Sequence, residues 1–283
     1  MSAAPQIVTT VAELRHRIKA LRQDDARIGL VPTMGALHAG HLALIQEMTK
    51  HVDVAVVSIF VNPTQFAPHE DFDHYPRTLM ADAEKLGASG ETDLIFAPSV
   101  GEMYPPGFAT RIEMAGPAIG LESDCRPHFF SGVAVVVSKL LIAAMPDVAM
   151  FGEKDYQQLL VVRRMVSDLG LNIQIIGSPI VRERDGLAMS SRNAYLSIDD
   201  RMIAGQLNVI ILSLIAELRD GAAISAVEES GKRALLEAGF SSVDYLAVRD
   251  AETLAPLTTL DRPARVLAAA TVGKTRLLDN MAV

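Results

Sequence analysis

Cysteine is almost absent from the chain, with Cys125 the single example in 283 residues. A lone thiol excludes an intrachain disulfide and cannot by itself build a thiolate metal site. A reducing compartment is therefore the expected setting. Basic residues are also scarce: 26 Lys and Arg stand against 34 Asp and Glu, for a net charge of -8. That balance would neutralise neither a nucleic-acid backbone nor an anionic membrane surface, so neither partner is expected. Any phosphate has to be held locally. Long apolar runs are missing as well. The longest, "GVAVVVSKLLIAAM", is interrupted by Ser138 and Lys139 and is too short to span a bilayer. The opening residues, "MSAAPQIVTTVAELRHRI", contain no apolar core of signal-peptide length. A soluble, cytoplasmic protein is expected.

What is present is ordinary globular material, 49% apolar and 21% charged. The length suits two domains, or one large α/β domain with an appendage. Apolar runs at 27–33, 52–61, 92–98, 146–152 and 171–179 read as strands. Each is continuous rather than alternating, as expected for strands buried on both faces of a parallel sheet. Segments 41–51, 78–87, 132–145 and 154–169 read as helices between them. In 78–87, Leu79, Ala83 and Leu86 share one face, and Gly87 lies near the C-cap position. This alternation predicts an α/β fold with a Rossmann-like, doubly wound parallel sheet, whose ligand crevice lies beyond the carboxyl ends of the strands. The pattern changes near 180. A polar, turn-rich stretch, "VRERDGLAMSSRNAYLS", precedes helical segments at 199–218 and 223–238. Then "SVDYLAVRD" and "ARVLAAATVGKTRLLD" read as strands with a proline-containing loop between them. We expect a catalytic domain over 1–182 and a smaller C-terminal α+β domain over 183–283.

Four stretches carry chemistry. In "PTMGALHAGH", Gly35 and Gly40 permit a tight turn and close approach of the backbone to a ligand. The helix that follows offers free N–H groups and its positive dipole end to an anion. His38 and His41 could donate to phosphate oxygens and to the charge that develops in phosphoryl transfer. The blander alternative makes His38 a turn residue and His41 a helix N-cap. A zinc site finds no third ligand. The second stretch, "SIFVNPTQFAPHEDFDHYPRT", leaves a strand with Asn62 and Gln65 at the same sheet edge, neutral amides suited to orienting hydroxyls and carboxylates. It also suits a decorated proline turn. In "MFGEKDYQQL", Gly152 relieves another strand-to-helix turn, Lys154 is a cation placed for phosphate, and Asp155 and Gln158 share a helix face. Asp155 could equally cap that helix. The fourth, "GLAMSSRNAYLS", sets Ser190, Ser191 and Arg192 in a loop able to close over a triphosphate, and on its own reads as a linker.

Together these stretches resemble the pantothenate synthetase (pantoate–β-alanine ligase) family, within the wider His-x-Gly-His nucleotidylyltransferase superfamily. The family's proline-threonine-methionine-glycine run into His-x-Gly-His stands here as Pro32 to Gly35 and His38 to His41. Its Asn-Pro-x-Gln-Phe element is Asn62 to Phe66, its Gly-Glu-Lys-Asp-(aromatic)-Gln-Gln element is Gly152 to Gln158, and its Ser-Ser-Arg-Asn element is Ser190 to Asn193. The resemblance implies a two-step ligase reaction, in which pantoate and ATP give a pantoyl adenylate that β-alanine converts to pantothenate and AMP. It implies an ATP site lined by Met34, Gly35, Ala36, Leu37, His38, Ala39, Gly40 and His41, with His41 as proton donor. Gly152, Glu153, Lys154 and Asp155, then Val181, Met189, Ser190, Ser191 and Arg192, would complete it. His38, His41 and Lys154 are the expected catalytic groups. Gln65 would contact pantoate and β-alanine, Gln158 would contact pantoate, and Asn62 belongs to the same substrate pocket. No resident metal is expected; magnesium would accompany ATP. A homodimer is implied too. One departure stands out: many members read Arg-Pro-Gly-His-Phe-Arg-Gly-Val where this chain has "RPHFFSGV", so Ser131 replaces the later arginine and Arg126 is the guanidinium that remains.

Two other classes stay in view. A nucleotidylyltransferase acting on a phosphorylated acceptor would share His-x-Gly-His but would have no use for Asn62, Gln65 and Gln158. A silent nucleotide-binding regulator would be expected to lose a histidine or Lys154, and all three are present.

Overall fold

The structure, a computed structural model, describes residues 5–66, 72, 73 and 75–283. It opens with strand β1 (Gln6–Val8) and helix α1 (Val11–Leu21). Strand β2 (Ile28–Thr33) leads into α2 (Ala39–Met48), and β3 (Val54–Ile59) runs into a single 3-10 turn, Pro63–Gln65. Then come α3 (Leu79–Ser89), β4 (Leu94–Phe96) and two short helices, α4 (Val100–Met103) and α5 (Glu122–Cys125). Helix α6 (Phe129–Ala144) returns the chain to β5 (Val148–Gly152), α7 (Tyr156–Asp168) and β6 (Gln174–Ser178). The six strands form one parallel sheet in the order β1-β4-β3-β2-β5-β6. The doubly wound expectation holds.

Strands β2, β3 and β5 are buried along nearly their whole length, which is why their sequences run apolar without alternation. Helix α6 buries twelve of its sixteen residues and is accordingly apolar on every side. Strand order reverses between β2 and β5. The carboxyl ends of these two strands therefore open onto the crevice where ligands of such sheets bind. Helix α1 is not among the helices expected from sequence, although Thr10 and Glu13 form a reciprocal capping box at its start.

The remaining chain forms α8 (Ile198–Ala204), α9 (Gln206–Arg219), α10 (Ile224–Glu237) and an antiparallel sheet of β7 (Ser242–Asp250), β8 (Ala264–Val272) and β9 (Thr275–Ala282). Two details differ from expectation. The segment 199–218 divides at Gly205, and "ARVLAAATVGKTRLLD" is a hairpin that turns at Gly273, where φ is 56°. The run Ile198–Arg219 is long and apolar enough to cross a membrane, yet Leu207, Ile211, Leu214 and Leu218 are buried among the C-terminal core residues. Burial of that kind marks the core helix of a globular unit. Alternate residues of the small sheet serve two cores. Leu246, Val248 and Val266 pack with α9 and α10, while Ala247 and Leu267 join the core that contains β2, α6 and α7.

Candidate active site

The backbone after β2 makes a turn that few sequences tolerate: Gly35 has φ 82° and Ala36 has φ 50°. Alanine in the left-handed region is strained and needs support. Asp82 of α3 supplies it. Its fully buried carboxylate accepts from the N–H groups of Ala36 (2.9 Å) and Leu37 (2.8 Å) and from the Thr78 hydroxyl (3.0 Å). Asp82 is not visible as a site residue in the sequence, because an acidic residue in a helix resembles any solvated one. Lys85, one turn further along α3, donates to the Leu37 carbonyl at 2.7 Å.

Helix α2 begins at Ala39, and its N-cap is His38 rather than His41. His38 Nδ1 accepts from the Gly40 N–H at 3.1 Å, and His41 Nδ1 accepts from the His38 N–H at 3.3 Å. This is a capping box built from two imidazoles. With each Nδ1 occupied as an acceptor, each neutral ring carries its proton on Nε2. The bland and functional readings are thus compatible, since capping fixes the tautomer that can donate to a ligand. The ring centroids lie 4.1 Å apart. Burial, the neighbouring His38, and then Lys154 and Lys85 lower the His41 pKa to about 3. His38 is also lowered, by burial and then Lys154, with Glu183 opposing. At neutral pH both are uncharged donors.

At the end of β5 the chain forms a short 3-10 turn, Glu153–Asp155, before α7. Lys154 is largely enclosed, and its Nζ lies 3.7 Å from Asp155. Asp155 makes no side-chain capping bond to α7, so the capping alternative fails for it. Glu153 pairs with Arg265 at 3.2 Å.

Asn62 is almost wholly buried and fully committed. Its Nδ2 donates to Gln65 Oε1 (3.1 Å) and the Gly132 carbonyl (3.2 Å), while Oδ1 accepts from Tyr104 (2.7 Å) and from Thr64. Both N–H groups are thus engaged within the protein, and one of them holds the Gln65 side chain at the cavity, which Asn62 also borders. Gly132 allows this packing, because a Cβ there would lie 2.4 Å from the Thr64 carbonyl oxygen. Arg126 also reaches this corner. It donates to the Gln65 carbonyl at 3.0 Å, lies 4.0 Å over the Phe129 ring, and faces Glu122 at 3.6 Å. A guanidinium therefore borders the site although Ser131 replaces the arginine of the pattern.

The segment read as a loop is a pinned hairpin. Arg182 and Ala188 bridge, and Met189 N–H donates to the Val181 carbonyl at 2.9 Å. Arg201 of α8 grips Glu183 and Asp185 at 2.7 Å each, Asn193 donates to Glu183 at 2.6 Å, and Arg182 makes a bidentate pair with Asp279 of β9. The Ser-Ser-Arg element then forms a 3-10 turn, Ser191–Tyr195.

These pieces enclose a cavity of about 580 Å³, a size suited to a cofactor or small substrates. Met34, His38, Gly40 and His41 line it with Asn62, Gln65, Gly152, Lys154, Asp155 and Gln158. Val181, Met189, Ser190, Ser191 and Arg192 line it as well, and β8 and β9 contribute a wall. Five expected ATP contacts lie off its surface. Gly35, Ala36 and Leu37 form the turn beneath, Ala39 faces outward in the first turn of α2, and Glu153 is drawn to Arg265. The neighbouring glutamines both border the cavity but differ in commitment. Gln157 is buried and bonded to the Glu122 N–H and to the carbonyls of Pro117 and Gly120, whereas Gln158 is half-buried.

A parallel sheet with a capped helix N-terminus, two neutral histidines and a lysine at its switch point defines a nucleotide-handling α/β enzyme. The sequence model of the family described as pantoate-beta-alanine ligase matches residues 6–282, and the chain belongs to that family of AMP-forming ligases. It is 54% identical to pantothenate synthetase of Nitrobacter hamburgensis, with 100% of both chains covered. A pantothenate synthetase structure from Thermus thermophilus superposes with a TM-score of 0.90 at 46% identity, covering 98% of each chain. The pantoate-beta-alanine ligase of Francisella tularensis, solved with β-γ ATP and β-alanine, gives 0.82 at 35% identity, covering 98% of this chain and 97% of that one.

Proposed function

We propose that the cavity joins pantoate to β-alanine in two steps. The pantoate carboxylate attacks the α-phosphorus of ATP and expels pyrophosphate, and the β-alanine amine then attacks the acyl carbon of the adenylate and expels AMP. One observation carries this reading: phosphate-type groups and neutral amides meet in a single cavity. The α2 N-terminus and the Nε2–H groups of His38 and His41 suit the triphosphate, and Lys154, Arg192 and the Ser190 and Ser191 hydroxyls add charge and donors. Burial is the larger part of the His41 pKa depression, and binding a polyanion offsets the part that comes from Lys154 and Lys85, which moves the ring towards proton donation. Gln65 and Gln158 suit the hydroxyls and carboxylate of pantoate, and Gln65 suits β-alanine.

Magnesium enters as part of the nucleotide substrate. Of the described carboxylates lining the cavity, Glu122 and Asp279 are taken by Arg276 and Arg182 at 2.7 Å each, while Asp155, in looser contact with Lys154 at 3.7 Å, is the one best placed to face the chelate. The composition and family support a cytoplasmic enzyme, and the family supports a homodimer. The C-terminal part acts as a cover that keeps water from the adenylate. Its hairpin is pinned to α8 and β9 through Arg182, Glu183 and Asp185, which supports counting these residues with the C-terminal part. AMP release with each substrate omitted in turn tests the reaction. Labelled pyrophosphate should exchange into ATP with pantoate alone, and AMP release should need β-alanine too. A requirement for β-alanine in the exchange would overturn the adenylate-first order.

A further inference from the structure

Strand β9 reaches three pieces of the site through one short run, "TRLLDN". Arg276 pairs with Glu122 at 2.7 Å beside Arg126, Asp279 takes Arg182 at the base of the hairpin, and Asn280 reaches the lysine turn. The last contact is the most specific. Asn280 is almost fully buried, and its Nδ2 donates to the carbonyls of Glu153 (2.9 Å) and Lys154 (3.0 Å), residues more than a hundred positions away. Its Oδ1 accepts from Arg265, which also pairs with Glu153 and lies 3.7 Å over the Tyr156 ring. The amide has only one workable orientation. A guanidinium can only donate and a carbonyl can only accept, so Oδ1 must face Arg265 and the N–H groups must face the turn. The turn's own sequence supplies no comparable brace, since Asp155 does not cap α7.

We propose that Asn280 is a positioning residue that sets Lys154 for the first chemical step, so that seating the C-terminal sheet and placing the lysine are one event. The proposal rests on the assignment of Lys154 to the phosphates. Lys154 is needed where pyrophosphate leaves, whereas attack of the β-alanine amine on the acyl carbon expels AMP after the pyrophosphate is gone. Loss of Asn280 should therefore penalise the two steps unequally.

Asn280→Asp is the sharpest variant, because it keeps the shape and the Arg265 contact while removing both N–H donors. Single-turnover adenylate formation should fall on the order of 10-fold or more, the scale expected for a displaced catalytic group. Adenylate can be accumulated on the enzyme by long incubation with ATP, pantoate and pyrophosphatase. Its transfer to added β-alanine should then stay within about 2-fold of wild type, since it does not draw on the displaced group. In a Lys154→Ala background, Asn280→Asp should add less than about 2-fold, because the two residues act as one unit. Equal losses in both steps, or a full additional loss in the Lys154→Ala background, would overturn the proposal and leave Asn280 a structural residue. Should the aspartate fail to fold, Asn280→Ser, a shorter donor, is read by the same comparison. A Lys154→Ala enzyme with normal adenylate formation would instead refute the lysine assignment, and the role of Asn280 would fall with it.

Discussion

The turn Met34–His41 is braced from its own side of the molecule: Asp82 lies in the second helix after it, and His38 and His41 cap the helix they begin. The turn Gly152–Asp155 takes its brace from β8 and β9, through Asn280 and Arg265. The first is a preorganised part of the parallel sheet. The second is complete only when the C-terminal sheet is in place. If the C-terminal part is the cover proposed above, such a division suits an enzyme that admits ATP and then excludes water, because the neutral donors stay fixed while the lysine turn is tied to the cover.

The comparison breaks most directly at the groups themselves. His41→Ala and Lys154→Ala should each lower single-turnover adenylate formation by about 100-fold or more, the usual cost of removing a preorganised donor. Near-normal rates in folded variants would leave the first turn a capping structure and the second a structural bend. A smaller effect should separate the braces. Asp82→Ala strands the buried Leu37 N–H and the half-buried Ala36 N–H, for a combined cost of roughly 2–4 kcal/mol. It should lower the unfolding free energy by about that much in denaturant titration and weaken ATP binding, with Lys154 still in place. Unchanged stability would mean that the turn holds itself.

Gln65→Ala should raise the KM for pantoate and for β-alanine by about 10-fold, as expected for a lost polar contact. Calorimetric ATP affinity should not change, and a matching loss of ATP affinity would place Gln65 among the nucleotide groups. The smallest effect is on stability against pH. His41 has its folded pKa lowered to about 3, so below its ordinary value of 6.5 the unfolded chain takes up a proton that the folded chain refuses. Stability should fall as pH drops through that window and be unaffected by this group above it. Between pH 6.5 and 5.5 the wild type should lose about 1 kcal/mol relative to His41→Gln. A constant difference over that range would show that His41 titrates normally.

Much of this site was readable because its chemistry is local. Two glycines, two histidines at helix spacing and a lysine after a strand each need only neighbours along the chain. The buried strands announced themselves by unbroken apolar runs, and the four motifs led to the family. Helix α1 was readable too, from Thr10 and Glu13, but its start falls just after a three-residue strand that leaves almost no pattern. Asn62 was placed correctly at the sheet edge, while its task was not visible. The atoms it serves include the Gly132 carbonyl, seventy positions away.

The sequence by itself thus determined the parallel sheet, the turns at its carboxyl edge and the kind of group each turn presents, since these follow from apolar periodicity, backbone permissiveness and side-chain chemistry. Only the tertiary structure decided which buried polar group holds which turn. An aspartate in a helix or an asparagine in a strand looks the same in sequence whether it meets water or a distant backbone. Asp82 and Asn280 acquire their roles when packing removes the water and leaves the amides of Ala36 and Leu37, or the carbonyls of Glu153 and Lys154, as the partners within reach.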